Sequence, residues 1–154
     1  MKHAIIDSPI GPLTLVERDG GVAGLYMAEH RHRPVIDGER HDAVLPDVQE
    51  QLAAYFRRDL KEFDVRLAVT GSPFQQQVWA ALATIPYGET WGYGQLAAVI
   101  GRPLAARAVG LANGRNPVSI IVPCHRVVGS KGNLTGYGGG LERKQWLLDH
   151  EAGR

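Results

Sequence analysis

Apolar and polar positions alternate in short runs through the first third of the chain. Ala4-Ile5-Ile6, Leu13 to Val16 and Val22 to Met27 are separated by Ser8-Pro9-Ile10-Gly11 and Asp19-Gly20-Gly21. A period near two, punctuated by proline and glycine, predicts an antiparallel meander. Residues 30–47 open with His30-Arg31-His32-Arg33-Pro34 and stay mostly polar, which predicts an exposed loop. Val48, Leu52, Tyr55 and Phe56 then recur at helical spacing, so one helix packs on the small sheet. Phe63, Val65, Leu67 and Val69 alternate with Asp64, Arg66 and Ala68 and predict one more strand before Thr70-Gly71. A first unit of residues 1–72 and a second of residues 73–154 are expected on this pattern.

From Ser72 the period lengthens. Ser72-Pro73-Phe74-Gln75 has a capping hydroxyl, a proline in the first turn and a glutamine three residues on, the elements of a capping box. Phe74, Val78, Ala81, Leu82 and Ile85 form the apolar face of that helix, and Pro86-Tyr87-Gly88 ends it. Helices over Tyr93 to Ile100 and Leu104 to Ala112, joined through Gly101-Arg102-Pro103 and stopped by Asn113-Gly114, make a helix-turn-helix candidate. Arg107, set among Ala105, Ala106 and Ala108, suits close approach to a nucleic acid backbone; the bland alternative is an alanine-rich packing helix with one solvated arginine. Val118, Ile120, Ile121 and Val122 predict a buried strand or extended segment that delivers Pro123-Cys124-His125-Arg126-Val127 at its end. A loop dense in glycine follows, then a C-terminal helix with Leu141, Trp146, Leu147 and Leu148.

Composition sharpens this picture at three points. With 44% hydrophobic and 21% charged residues in 154, the chain can bury a core. Its net charge of +1 conceals an asymmetry: nine basic against twelve acidic side chains up to Ser72 (−3), and eight against four from Pro73 onward (+4). The second unit is therefore the candidate for a polyanionic partner. No apolar run is long enough for a signal peptide or a membrane span, so a cytoplasmic protein is expected, nucleoid-associated if bacterial.

Cys124 is the only cysteine and cannot form an internal disulfide. Such a residue is most often a small buried hydrophobe. Its neighbours raise a second reading, because a thiol becomes a competent nucleophile only beside a base or a cation, and His125 and Arg126 supply one of each. Adjacent side chains seldom point the same way, so His125 would take the proton through a bridging water. A histidine used in this way needs an orienting carboxylate, for which Glu89, Glu142, Asp149 and Glu151 are open candidates. His3, His30, His32 and His41 match no standard metal spacing, so no metal is expected.

The segment from Asn116-Pro117 through Pro123-Cys124-His125-Arg126-Val127-Val128 resembles the active-site signature of the O6-alkylguanine-DNA alkyltransferases. Four more stretches match in order: Ser72 to Trp79, Pro86 to Thr90, Ala105 to Gly110, and Gly136 to Leu141 continuing from Lys144 to Glu151. The N-terminal third matches loosely, chiefly at the Ser8-Pro9-Ile10-Gly11 turn. The resemblance implies an α/β (α+β) fold, with a small ribonuclease-H-like α/β domain followed by a helical winged helix-turn-helix domain that carries the active site. It implies a DNA repair enzyme, a methylated-DNA-protein-cysteine methyltransferase that flips an O6-alkylguanine out of the duplex and takes the alkyl group irreversibly, with O4-alkylthymine a further candidate substrate. Catalytic roles fall on Cys124 as nucleophile, His125 as base, Glu151 as orienting carboxylate, Tyr93 on the departing guanine and Asn116 as a brace. Arg107 would be the finger entering the duplex, with Tyr93, Ala105, Ala106, Gly110 and Arg115 also at the DNA and the helix in the minor groove. Val127, Tyr137, Gly138 and Trp79 would surround the base. Gly138 stands where some relatives carry serine. No cofactor is implied; the partner is double-stranded DNA, bound by a monomer, with cooperative assembly along it left open.

Two rivals come from other classes. A non-catalytic sensor would flip alkylated bases and recruit other factors, but such alkyltransferase-like proteins lack the cysteine present here. A cysteine hydrolase would use Cys124 and His125, yet no signature of a substrate cleft accompanies them.

Overall fold

The computed structural model describes residues 1–36 and 38–154. Three strands, β1 (Lys2–Ile6), β2 (Leu13–Arg18) and β3 (Gly21–Met27), form the predicted antiparallel meander, with Leu15 opposite both Ala4 and Leu25. A two-residue strand β4 (Glu39–Arg40) adds in parallel to β1, inside the segment expected to be loop, and completes the order β3-β2-β1-β4. Helix α1 (Pro46–Phe56) buries Val48, Leu52 and Tyr55. The expected strand near Leu67 is reduced to one bridge: Val22 donates to the Arg66 carbonyl at 2.8 Å and accepts from the Ala68 amide at 2.8 Å. Its alternating pattern had room for more, but the edge of β3 is shared. Further along that edge Leu25 donates to Pro117 at 2.9 Å and accepts from Ser119 at 3.2 Å, so the sheet docks the segment leading to Cys124.

Helix α2 (Pro73–Leu82) begins with the capping box read from the sequence: the Gln75 amide donates to Ser72 Oγ at 3.1 Å, and the Gln75 side chain accepts from the Ser72 amide at 3.0 Å. Strand β5 (Trp91–Gly92) leads into α3 (Tyr93–Val99), and α4 (Ala106–Gly114) follows to complete the helix-turn-helix. Helix α4 starts two residues later than expected and runs through Asn113-Gly114 instead of stopping there. Asn113 is buried, and the Trp79 indole donates to the Ala112 carbonyl at 2.9 Å, so packing on α2 overrides the local stop signal.

Val118, Ile120 and Val122 are buried and Ile121 partly so, but the run is not a strand. Ile120 has φ +74°, rare for a β-branched residue, and the Ile121 amide closes on the Ser119 carbonyl at 2.8 Å. Pro123, at φ −81° and ψ 63°, then forms an inverse γ-turn in which the Cys124 amide donates to Val122 at 2.8 Å. Two tight turns therefore aim Cys124, where a strand would have carried it straight on. A single 3-10 turn (Cys124–Arg126) passes into β6 (Val127–Val128), which pairs in parallel with β5. After the glycine-rich loop, α5 (Leu141–Glu151) runs back across the molecule. Arg143 near its start donates to the Ile10 carbonyl at 3.0 Å and ties it to the N-terminal turn.

Candidate active site

Cys124, at the start of the 3-10 turn, is 5% exposed, and His125 beside it is fully buried. His125 Nε2 lies 2.7 Å from Glu151 Oε2 on the last turn of α5, so of the four open carboxylates the structure brings Glu151 to the histidine. With Nε2–H directed at the carboxylate, the buried Nδ1 is left as an acceptor with no partner among the described residues. Burial pulls His125 below its usual range, against the hydrogen bond and charge of Glu151.

Glu151 is held by more than the histidine. Its Oε2 accepts from Tyr55 Oη at 2.6 Å and from Arg126 at 3.0 Å, while Oε1 accepts from Arg126 Nε at 2.7 Å. Burial alone would raise this carboxyl, but the hydrogen bonds and charges of His125 and Arg126 outweigh it and hold Glu151 well below the usual carboxylate range. A two-toothed arginine–carboxylate pair fixes direction as well as charge. Arg126, read from the sequence as a cation for the thiol, is instead spent on Glu151 and on the Ile85 carbonyl at 2.6 Å. Tyr55 comes from α1, and its own carbonyl accepts from His150 at 2.8 Å.

The cation near the thiol is Lys144. It is fully buried, donating to the Val127 carbonyl at 2.6 Å and the Thr135 carbonyl at 3.0 Å. Burial brings it down to about 8, opposed by Cys124. Burial likewise pushes the Cys124 thiol up, while an Asn116 contact and the Lys144 charge work the other way. Asn116 also spans the turns: its Oδ1 accepts from the Val118 amide at 3.0 Å and its Nδ2 donates to Val122 O at 2.8 Å.

Beside this interior lies an open cleft of about 620 Å³. Tyr93, Ala106, Arg107, Gly110 and Arg115 line one side, and Tyr137 and Gly138 lie among the loop residues that line it. Tyr93 Oη lies 2.6 Å from Thr135 Oγ1. Tyr137 links the two regions: it lines the cleft, its hydroxyl is buried without a partner among the described residues, and burial, with Cys124 nearby, pushes that hydroxyl well above its usual range.

Three expected positions fall elsewhere. Trp79 is buried, with its indole committed to α4, and does not line the cleft. Val127 is fully buried, with its amide donating to Cys124 O and its carbonyl accepting from Lys144, so its main chain is already engaged. Ala105 is the residue before α4 and does not line the cleft. Among the described residues, no three His, Cys, Asp or Glu side chains are grouped to hold a metal.

Sequence reasoning missed Tyr55 and Lys144, whose spacing marks them only as core or as part of a motif. It also missed Leu111, one turn beyond Arg107 in the cleft and 71% exposed. An exposed leucine on a short helix carries no signal in one sequence.

Fold and site together define a class: a helix-turn-helix unit built beside one buried cysteine with a carboxylate-backed histidine. Residues 73–153 match the family model described as 6-O-methylguanine DNA methyltransferase, DNA binding domain, and residues 1–69 that of its ribonuclease-like domain. A methylated-DNA–protein-cysteine methyltransferase of Mycobacterium bovis is 55% identical, covering 100% of this chain and 94% of that protein. The crystal structure of Mycobacterium tuberculosis OGT in complex with DNA superposes with a TM-score of 0.96 at 52% identity, over 99% of this chain and 94% of that one. An O6-methylguanine DNA methyltransferase from Methanococcus jannaschii is 26% identical, with a TM-score of 0.68 over 96% and 92% of the two chains. The chain belongs to the 6-O-methylguanine DNA methyltransferase family.

Proposed function

We propose that this protein repairs DNA by direct reversal, moving the alkyl group of O6-alkylguanine to Cys124 in a single turnover. The observation that carries the reading is a buried histidine, next to Cys124 in the same 3-10 turn, bonded to the anchored carboxylate of Glu151. His125 Nδ1 takes the thiol proton through a bridging water, and Glu151 stabilises the imidazolium that forms. The thiolate attacks the alkyl carbon in line; the sulfur–carbon bond forms as the carbon–O6 bond breaks, and the electron pair leaves with guanine. Tyr93 donates toward the departing base, and Asn116 keeps the turns that aim the sulfur. The thioether product is no leaving group for water, so each molecule acts once.

In-line approach needs the base out of the stack, and the cleft is where it goes. Arg107 enters the duplex from α4, with Ala106, Gly110 and Arg115 against the backbone, and Tyr137 and Gly138 border the extruded guanine. The chain divides at residues 72 and 73 into a supporting unit and a reacting unit. Among the described residues no helix is long and apolar enough to cross a membrane; a place in the cytoplasm with the DNA follows from the activity.

Incubation with a duplex containing O6-methylguanine, followed by mass analysis of the protein, tests the reading. It predicts a gain of one CH2 on the peptide holding Cys124 and no turnover beyond one equivalent. An unchanged mass would favour the sensor or the hydrolase.

A further inference from the structure

The cleft has a second wall that comes from the other end of the sequence. Arg31 and His32, in the segment after β3, line it together with Arg107 and Arg115. This segment is seated on the active-site loop. The Arg31 amide donates to the Gly138 carbonyl at 2.6 Å, and a Cβ on Gly138 would come within 2.6 Å of His30 Nε2. His30 cannot swing aside freely, because its Nδ1 accepts from the Met27 amide at 3.2 Å. On the far side, Arg33 donates to the Met27 carbonyl at 3.2 Å and to Thr14 Oγ1 at 3.0 Å. Residues on both flanks are thus tied to the body of the protein, and the glycine at 138 is what lets the segment dock.

Between those anchors Arg31 and His32 are exposed, and His32 takes a left-handed backbone (φ +58°). Among the described residues the Arg31 side chain has no hydrogen bond or ion pair, and no carboxylate lines the cleft. Three guanidinium groups therefore border one cavity with no internal counter-charge. Like charges held at one cleft raise a positive potential that only an external anion relieves.

We infer that Arg31 is a phosphate contact of this cleft, supplied by the N-terminal unit, so that duplex DNA is held between the segment after β3 and helix α4. The inference rests on the repair reading and extends it to a surface outside the helix-turn-helix. Arg31 acts as a point charge on the backbone and Arg107 as a flat group within the stack, so the two should differ in their tolerance of lysine.

The test measures affinity of the full chain for a short lesion-free duplex across a salt series. Arg31→Ala should weaken binding several-fold and reduce the slope of log affinity against log salt by about 0.9, the contribution of one phosphate. Arg31→Lys should keep the wild-type slope, and Arg31→Glu should lose more affinity than Arg31→Ala. An unchanged thermal midpoint in all three would separate binding from folding, since the side chain holds nothing in the fold. Wild-type slope and affinity in Arg31→Ala would overturn the inference while leaving the repair reading intact. A lysine variant as weak as the alanine variant would overturn the phosphate assignment. Wild-type protein without salt-dependent affinity for any duplex would instead remove the repair reading itself.

Discussion

Cys124, His125 and Glu151 are 5%, 0% and 7% exposed, and Glu151 is met by three separate side chains. At the cleft Arg107 stands in solvent, and neither it nor Arg31 has an ion pair among the described residues. The interior is finished before any substrate arrives; the cleft is not. That difference is what the proposed reaction requires. Proton transfer between fixed groups gains from a dry, preorganised setting, where a misdirected carboxylate would slow every event. Recognition of a deformable polyanion gains from charges left unpaired until the partner supplies the counter-charge. The interior also draws on both matched family regions, through Tyr55 of α1 and Glu151 of α5, and the cleft repeats that plan with Arg31 and Arg107.

The comparison can be broken most sharply at the sulfur. Cys124→Ser is nearly isosteric, so it should reduce transfer to background while duplex affinity stays near wild type; stoichiometric transfer by this variant would remove Cys124 as acceptor. Glu151→Gln comes next. It leaves Arg126 buried without its anion, and a loss of about 3–5 kcal/mol in unfolding free energy is expected, with slower transfer and little change in duplex affinity. The sign with pH follows from the lowered carboxyl. Glu151 stabilises the fold fully above its ordinary value of 4.5, and that contribution falls away as pH drops below it. The Gln variant should therefore show a flatter fall in thermal midpoint below pH 4.5 than wild type.

Tyr55→Phe should have a smaller effect, removing one hydrogen bond to a charged group and costing about 1.5–3 kcal/mol in a denaturant titration. If its role is positioning, transfer should slow and the pH profile of the rate should move. A stability loss with an unmoved profile would leave Tyr55 in the fold alone.

How much of this was legible in the sequence depends on distance along the chain. The capping box of Ser72 and Gln75, the meander and the pairing of α3 with α4 are local patterns, and the chain carries each of them legibly. The turns at Ile120 and Pro123 are not legible, because a run of β-branched residues reads as a strand until packing dictates otherwise. Tyr55 and Glu151 lie 96 residues apart, and nothing in the spacing of either announces the bond. Arg126 stands out as a cation, but adjacency points it at Cys124, whereas its partner is a carboxylate 25 residues on. Arg31 reads as part of a polar loop; only the fold shows the anchors on either side of it.

The most direct test of a finished interior beside an unfinished cleft compares transfer rates from duplex DNA and from the free base O6-benzylguanine in three variants. Nothing has to be flipped when the base is free. Arg107→Ala should slow repair of the duplex and leave reaction with the free base near wild type, and Arg107→Lys should do the same because lysine offers no flat group. Glu151→Gln should slow both substrates by the same factor, because His125 serves both. Equal losses on the two substrates in the Arg107 variants would place Arg107 in the active-site scaffold and contradict the division.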